Sequence, residues 1–260
     1  MDTIPIQNLA VALHHAEREH APIQPLSEVY PALTPTQSYA IQSAWLALKE
    51  AEGGQVIGRK IGLTSQAMQQ QLGVDQPDYG FLLKTMVVQP GSTIQRGELI
   101  QPRIEPEIAF WLSEDLRGPG ITVEQVQRAT RGVSASFELV DSRVANWRIK
   151  LVDTIADNAS SARVIASERV VALDGLDLAA VTVTMKRNGE TVGHGTGAAV
   201  LGHPAAAVAW LANKLAEFDV ALQAGQLILP GAMCAAVTVE AGDTFEASFS
   251  ELGDVAIRFA

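Results

Sequence analysis

Glu105 and Glu107 stand two residues apart in Pro102-Arg-Ile-Glu-Pro-Glu-Ile-Ala-Phe110. The alternation there predicts a strand, with Ile104, Pro106, Ile108 and Phe110 on one face and Arg103, Glu105, Glu107 and Ala109 on the other. Two carboxylates on one face repel each other unless a cation lies between them. Pro106 cannot donate to a sheet ladder, which predicts an edge position, a bulge or a strand end. A third carboxylate, Glu138, lies inside the apolar run Ser136-Phe-Glu-Leu-Val140, where an isolated charge is costly to bury. Any one of these could be an exposed or salt-bridged glutamate. Together, oxygen donors with no adjacent Cys or His suit a hard cation such as Mg²⁺ or Mn²⁺.

Lys60 lies between Ile57-Gly58 and Ile61-Gly62. An apolar setting would lower its pKa into a range useful for proton transfer, whereas the plain alternative is a solvated lysine on a strand. Asp78, in Asp75-Gln-Pro-Asp-Tyr-Gly80, reads equally as plain turn chemistry. Asp157-Asn-Ala-Ser-Ser161 reads as a polar loop of small residues, suited to presenting hydroxyls and backbone N–H groups to a ligand. Other signals carry less. Gly193-His-Gly-Thr-Gly197 lacks the third glycine and the strand–helix setting of a dinucleotide loop. Cys234 has no adjacent base and reads as a buried small residue, and His203, before Pro204, as serving a loop or a helix start rather than chemistry.

The elements that must position these groups can be drawn from periodicity. Residues 6–20 predict a helix, with His14, His15 and His20 on solvated positions. Thr34 caps a second helix with Pro35 at its first position; Ile41, Ala44, Trp45 and Leu48 form its inner stripe and Gly53-Gly54 ends it. Gln55 to Leu63 predicts a strand, followed by a short helix through Met68 and Leu72. The acidic strand spans Leu99 to Phe110, a helix near 123–131 is capped by Thr122 or a neighbour, and strand resumes from Val133 to Val140. Asp141 to Asp153 is amphipathic but ambiguous. Val181, Val183 and Met185 alternate before Asn188-Gly189, a hairpin signal. Pro204 opens a helix with Val208, Leu211, Ala212 and Leu215 inward, and short strands at 226–229, 235–240, 245–249 and 255–259 close the chain.

Helices in front and strands behind predict an α+β fold: one catalytic domain over 1–260, helical at 1–54 and β-rich from 55. A formal net charge of −10 argues against nucleic acid or an anionic membrane as partner. The single cysteine fits a reducing cytoplasm, and no spanning segment or signal peptide is read, so the expected location is cytoplasmic.

Five segments, in order, carry a resemblance: Gly58 to Ser65, Gln71 to Gly80, Pro102 to Phe110, Glu138-Leu-Val-Asp-Ser-Arg143 and Asp153 to Ser160, joined by Leu201-Gly-His-Pro204. They resemble the signatures of the 2-oxopent-4-enoate (2-hydroxypenta-2,4-dienoate) hydratases of the fumarylacetoacetase-like superfamily, which also holds the 4-oxalocrotonate (2-oxo-3-hexenedioate) decarboxylases. The resemblance implies a fumarylacetoacetase C-terminal-like mixed β-sandwich roll with a helical N-terminal cap. It also implies a Mg²⁺ or Mn²⁺ site used in the meta-cleavage catabolism of aromatic compounds. Residue by residue, Glu105, Glu107 and Glu138 match the metal ligands, Lys60 and Asp78 the acid/base residues, and Ser160 and Ser161 the substrate-side loop. The implied reaction adds water at C4 of 2-hydroxypenta-2,4-dienoate, after ketonisation by Lys60 and Asp78, giving 4-hydroxy-2-oxopentanoate. One rival is decarboxylation of 2-oxo-3-hexenedioate, for which Arg163 would be the cation facing a second carboxylate. Another is a non-catalytic partner of such an enzyme. A homo-oligomer, and association with a pathway decarboxylase or aldolase, are further implications.

Overall fold

The computed structural model describes residues 4–65, 69, 74 and 76–260. Three helices come first: α1 (Ile6–Glu19), α2 (Leu26–Val29) and α3 (Pro35–Ala51). Thr34 and Gln37 form a reciprocal cap at the start of α3, Gln37 N donating to Thr34 Oγ1 at 3.3 Å and Thr34 N to Gln37 Oε1 at 3.0 Å. Ile41 and Trp45 are buried against Leu9 and Leu13 of α1, with Ala44 and Leu48 at the margin. His14 departs from the expected solvated position. It falls on the same helical stripe as Ala10 and Leu13, is buried, and meets the Glu52 carboxylate at 3.0 Å.

Two sheets follow. The first runs β2-β1-β9-β4-β5-β6, with β10 (Val237–Thr238) also pairing with β4. Its strands are β1 (Val56–Gly62), β2 (Asp78–Leu83), β4 (Arg103–Leu112), β5 (Thr130–Val140), β6 (Ser161–Ala166) and β9 (Leu227–Leu229). The second runs β3 (Thr93–Ile94), β12 (Gly253–Phe259), β11 (Thr244–Phe249), β7 (Thr182–Arg187) and β8 (Glu190–Thr196). Asn188 and Gly189, both at positive φ, turn β7 into β8 as the dipeptide predicts. The pairings are mostly antiparallel, with β1–β9 and β12–β3 parallel, so both sheets are mixed.

Ile104, Ile108, Phe110, Phe137 and Leu139 of the first sheet belong to one buried core with Val183, Met185, Phe245 and Ile257 of the second. Helix α4 (Val123–Ala129), capped by Thr122, and α6 (Pro204–Leu215) add Val126, Val208, Leu211, Ala212 and Leu215 to it. Between β5 and β6 lie α5 (Leu151–Ala156) and a 3-10 turn, Asn158–Ser160. The ambiguous stretch thus resolves into two short helical pieces, the 3-10 turn Ala145–Trp147 and α5. The expected helix through Met68 and Leu72, and Asp75, lie outside the described residues.

Two expectations need correction. Asp78 is not in a turn; it is the first residue of β2 and is 1% exposed. Pro106 is not at an edge, a bulge or a strand end, because β4 has neighbours on both sides. The N and C=O of one strand residue point to the same side. The Pro106 carbonyl accepts from Met233 N at 2.9 Å, in the irregular passage between β9 and β10. The missing N–H therefore faces a gap in the ladder rather than β5.

Candidate active site

Glu105 and Glu107 leave β4 on one face, and Glu138 of β5 stands opposite Glu105. The structure gathers all three, one carboxylate oxygen from each lying within 4.8 Å of the others. Glu107 and Glu138 are fully buried and Glu105 is half-buried. Gly231 N donates to Glu107 Oε2 at 2.8 Å, and Ser161 Oγ donates to Glu138 Oε1 at 2.6 Å. Glu107 Oε1 is buried and has no hydrogen-bond partner among the described residues. Gly231 sits at φ +126° against Thr64, and a Cβ there would overlap the Thr64 hydroxyl. On the other side of the same passage, a Cβ at Gly195 would overlap the Met233 carbonyl. The glycine-rich stretch rejected as a dinucleotide loop therefore lets β8 press the 231–234 segment towards β4.

Lys60 reaches this cluster from β1, its Nζ 3.2 Å from Glu138 Oε2, with both side chains almost fully buried. Strands β9 and β4 lie between β1 and β5, a span of roughly 14 Å at ordinary strand spacing. Only two long side chains reaching inward across the face can close that distance. Burial pulls the Lys60 pKa down, but Glu138, Asp78, Glu105 and Glu107 outweigh it and hold the ammonium above its ordinary value. The expectation of a lowered pKa is corrected: the neighbours of Lys60 in sequence are apolar, but those in space are acidic.

Asp78 faces Lys60 from β2, and Thr154 Oγ1 of α5 donates to Asp78 Oδ2 at 2.9 Å. Burial raises the Asp78 pKa, against the opposing pull of Lys60 and Thr154. Burial also raises the three glutamates: Glu105 is pushed up to about 7, Glu107 well above the usual range, and Glu138 upward despite Lys60 and Ser161. Four carboxylates share the Lys60 ammonium, with Arg103 also acting on Glu105, so negative charge is in excess if all ionise. Excess negative charge is what the site disfavours.

The 157–161 stretch is not an open polar loop. Asn158, Ala159 and Ser160 all take positive φ and are buried. Asp157 accepts from Arg143 Nε at 2.6 Å, from Ser142 Oγ at 3.0 Å and from Ser160 Oγ at 2.9 Å. Asn158 meets β2 through Phe81 N (2.7 Å) and Phe81 O (3.0 Å). Ser161 thus faces the carboxylates, whereas the Ser160 hydroxyl is engaged with Asp157. Cys234 is half-buried, and burial, with Glu105 nearby, pushes its thiol up to about 11, the opposite of what a nucleophile needs. His203 caps α6 as expected, Nδ1 accepting from Ala205 N at 3.1 Å. Thr154, Gly231 and the Arg143–Asp157 pair carried no readable signal of their own role. Thr154 and Gly231 meet residues 76 and 124 positions away, and Arg143 meets Asp157 across the intervening α5.

Residues 47–260 match the family described as fumarylacetoacetate (FAA) hydrolase C-terminal. The 2-hydroxyhexa-2,4-dienoate hydratase of Comamonas testosteroni is 43% identical over 256 residues, 98% of this chain and 97% of its own length. The 2-keto-4-pentenoate hydratase 2 of Dechloromonas aromatica (strain RCB) is 44% identical over 255 residues, 96% of each chain. The solved structure of 4-oxalocrotonate decarboxylase from Pseudomonas putida G7, complexed with magnesium and adipate, has a TM-score of 0.97 at 38% identity. That match covers 100% of this chain and 99% of the decarboxylase. The expected α+β fold and the resemblance are both borne out: with its two mixed sheets and helical N-terminal cap, this chain belongs to the fumarylacetoacetate (FAA) hydrolase C-terminal family.

Proposed function

We propose that the protein is a hydro-lyase that adds water to 2-hydroxypenta-2,4-dienoate or a close homologue, giving a 4-hydroxy-2-oxo acid. The observation that carries this reading is a buried lysine facing three clustered carboxylates, in a chain 43–44% identical to dienoate and ketopentenoate hydratases over nearly its whole length.

The donor set fits a divalent cation. All the donors are carboxylate oxygens, Glu107 Oε1 is buried without a partner among the described residues, and the charge excess calls for a dication. We assign Glu105, Glu107 and Glu138 as its ligands and Mg²⁺ or Mn²⁺ as the ion; the named relative's structure contains magnesium. When bound, such an ion supplies Lewis acidity towards the carboxylate and C2 oxygen of a 2-oxo acid. The remaining work falls to the chain's own groups. Lys60 Nζ delivers a proton to C5 as the dienol becomes an enone, and the proton given up by the C2 hydroxyl, passed through Asp78, returns that nitrogen to its charged form. Water then adds at C4, and a proton reaches C3. Ser161 holds Glu138 in orientation, and we place Ser160 and Ser161 on the substrate side of the pocket.

The same carboxylate chemistry would serve a decarboxylase, and the likeness to 4-oxalocrotonate decarboxylase keeps that reading alive. Arg163, the cation proposed for a second carboxylate, lines a cleft with Glu17, Lys49 and Arg143. Ser161, which bonds Glu138, lines the same cleft. The hydratase is favoured by the relatives that are 43–44% identical over nearly the whole chain. Chelator-treated protein given 2-hydroxypenta-2,4-dienoate should consume it only when Mg²⁺ or Mn²⁺ is restored, without releasing CO₂ from 2-oxo-3-hexenedioate. Metal-dependent CO₂ release would transfer the protein to the decarboxylases. Metal binding with neither reaction would favour the non-catalytic partner.

The site also predicts how stability depends on pH. Glu105 titrates near 4.5 in an unfolded chain but near about 7 in the fold. The folded state then holds the extra proton, so this contribution is complete below the unfolded value and is lost as pH rises through about 7. Metal-free protein should therefore melt at lower temperature at about pH 8 than at about pH 5. Added Mg²⁺ should raise Tm more at the higher pH, because protons no longer compete for the carboxylates. Equal Mg²⁺ shifts at both pH values would contradict the assignment of these carboxylates as ligands.

A further inference from the structure

We propose that Gln42, on the N-terminal helix α3, is a positioning residue for the pair formed by Thr154 and Asp78. This inference rests on the assignment of Asp78 to proton transfer.

Gln42 is buried, and its side-chain nitrogen donates to two carbonyls, Tyr79 O at 2.9 Å and Ile155 O at 2.8 Å. Tyr79 follows Asp78, and Ile155 follows Thr154. One amide group, with both hydrogens engaged, thus ties together two backbones one residue beyond the side chains that meet at 2.9 Å. Sequence separates these parts widely: Gln42 lies 37 residues from Tyr79 and 113 from Ile155.

The topology explains the need. Among the described residues, strand β2 is the outer strand of its sheet and pairs only with β1, so alternate backbone groups face away from any ladder. Phe81 is one such residue, and the Asn158 side chain satisfies its N and O. Tyr79, two residues earlier, points its carbonyl to the same side, and Gln42 satisfies it. Asn158 and Gln42 together replace the missing neighbouring strand, and each is bonded in a way that sets β2 against the 154–161 segment. Other contacts join the N-terminal region to that segment and the residues before it. Ser27 N donates to Asp153 Oδ1 at 2.8 Å, Ile23 N donates to the Arg143 carbonyl at 2.9 Å, and the Trp45 ring lies 5.0 Å from the Arg143 guanidinium carbon. The segment matched by the C-terminal family begins at residue 47, so Gln42 lies outside it. The N-terminal helices therefore do more than cover a core: they hold the proton-transfer side of the site in register, while the metal ligands are held by β4 and β5.

A variant that keeps the volume and removes both donors, Gln42→Met, tests this. With Mg²⁺ and 2-hydroxypenta-2,4-dienoate, kcat per folded molecule should fall on the order of tenfold or more, as expected when a reacting group loses alignment. KM should stay within about twofold, and the Mg²⁺ dissociation constant measured by titration calorimetry should be unchanged. Thr154→Val should behave alike, and Gln42→Met with Thr154→Val should be no slower than the slower single variant, because the two act through one contact. A Gln42→Met protein that only melts earlier, with parental kcat, would overturn the proposal, as would fully multiplicative losses in the double variant. If Gln42→Met does not fold, Gln42→Asn, which keeps the amide one methylene short, should show the same kcat loss and unchanged Mg²⁺ binding; parental kcat there would overturn the proposal. Asp78→Asn separates the two levels of argument. Full activity in that variant removes the proton-transfer reading itself, whereas an inactive Asp78→Asn beside a normal Gln42→Met removes only the role of Gln42.

Discussion

Lys60→Met should lower kcat on 2-hydroxypenta-2,4-dienoate by about 10³-fold or more, within the range that loss of a positioned acid–base group produces. The substitution keeps most of the apolar stem and removes only the ammonium. Mg²⁺ affinity should be unchanged or tighter, because Lys60 is itself a cation competing for the same carboxylate field, with Nζ 3.2 Å from Glu138 Oε2. The two measurements thus move apart. Stability should separate in a third way. Removing one partner of a buried ion pair typically costs about 3–5 kcal/mol because the other charge is left uncompensated. That loss should appear in the metal-free protein and shrink when Mg²⁺ is present to balance Glu138. Turnover within tenfold of the parent would show that Lys60 is a structural counter-ion, leaving Asp78 to be tested alone.

How far this site could be read from sequence follows the physics of each residue. Glu105 and Glu107 are legible because strand periodicity is local: two residues apart on an alternating run means one face, and their register with Glu138 needs only one antiparallel pairing. The helix starts at Thr34 and Thr122 are legible for the same reason, since the capping groups lie within one turn. The pKa of Lys60 is not, because it depends on strands that sequence order does not place together. Local apolarity gives the wrong sign there. Pro106 misleads in a related way: the chain reveals the missing N–H but not that the next strand breaks away beside it. Gln42, Thr154 and Gly231 were silent for a different reason. Each serves a carbonyl or carboxylate contributed from far along the chain, and no local pattern of polar residues marks such a contact. Asp157-Asn-Ala-Ser-Ser161 lies between these cases. Its polarity was plain, but a turn with Asn158, Ala159 and Ser160 at positive φ aims the stretch inward, where Asp157 meets Arg143, Asn158 meets Phe81 and Ser161 meets Glu138.

Glu107→Gln should raise the Mg²⁺ concentration needed for half-maximal activity by more than about a hundredfold, with kcat recovering substantially at saturating metal. The bound on size comes from outer partners of metal ligands, whose loss alone costs about 10–100-fold in affinity. Glu107 is the most informative of the three because its oxygens are accounted for separately. Oε2 is held by Gly231 N at 2.8 Å, and Oε1 is buried with no hydrogen bond among the described residues. A buried carboxylate oxygen left unpaired is costly unless something positive meets it. The amide nitrogen of glutamine is a donor and not a ligand. If it takes the place of Oε1, the cation loses a contact, and if it takes the place of Oε2, it faces the Gly231 N–H. Either orientation penalises the loaded state. In the metal-free protein the same substitution should stabilise the fold at neutral pH, because it deletes a carboxylate that burial, with Glu138 and Glu105, raises well above its ordinary range. A higher metal-free Tm together with a smaller Tm gain on adding Mg²⁺ is therefore the signature of a ligand. A lower metal-free Tm with parental metal affinity would mean that Glu107 merely braces the 231–234 segment, and that the cation depends on Glu105 and Glu138.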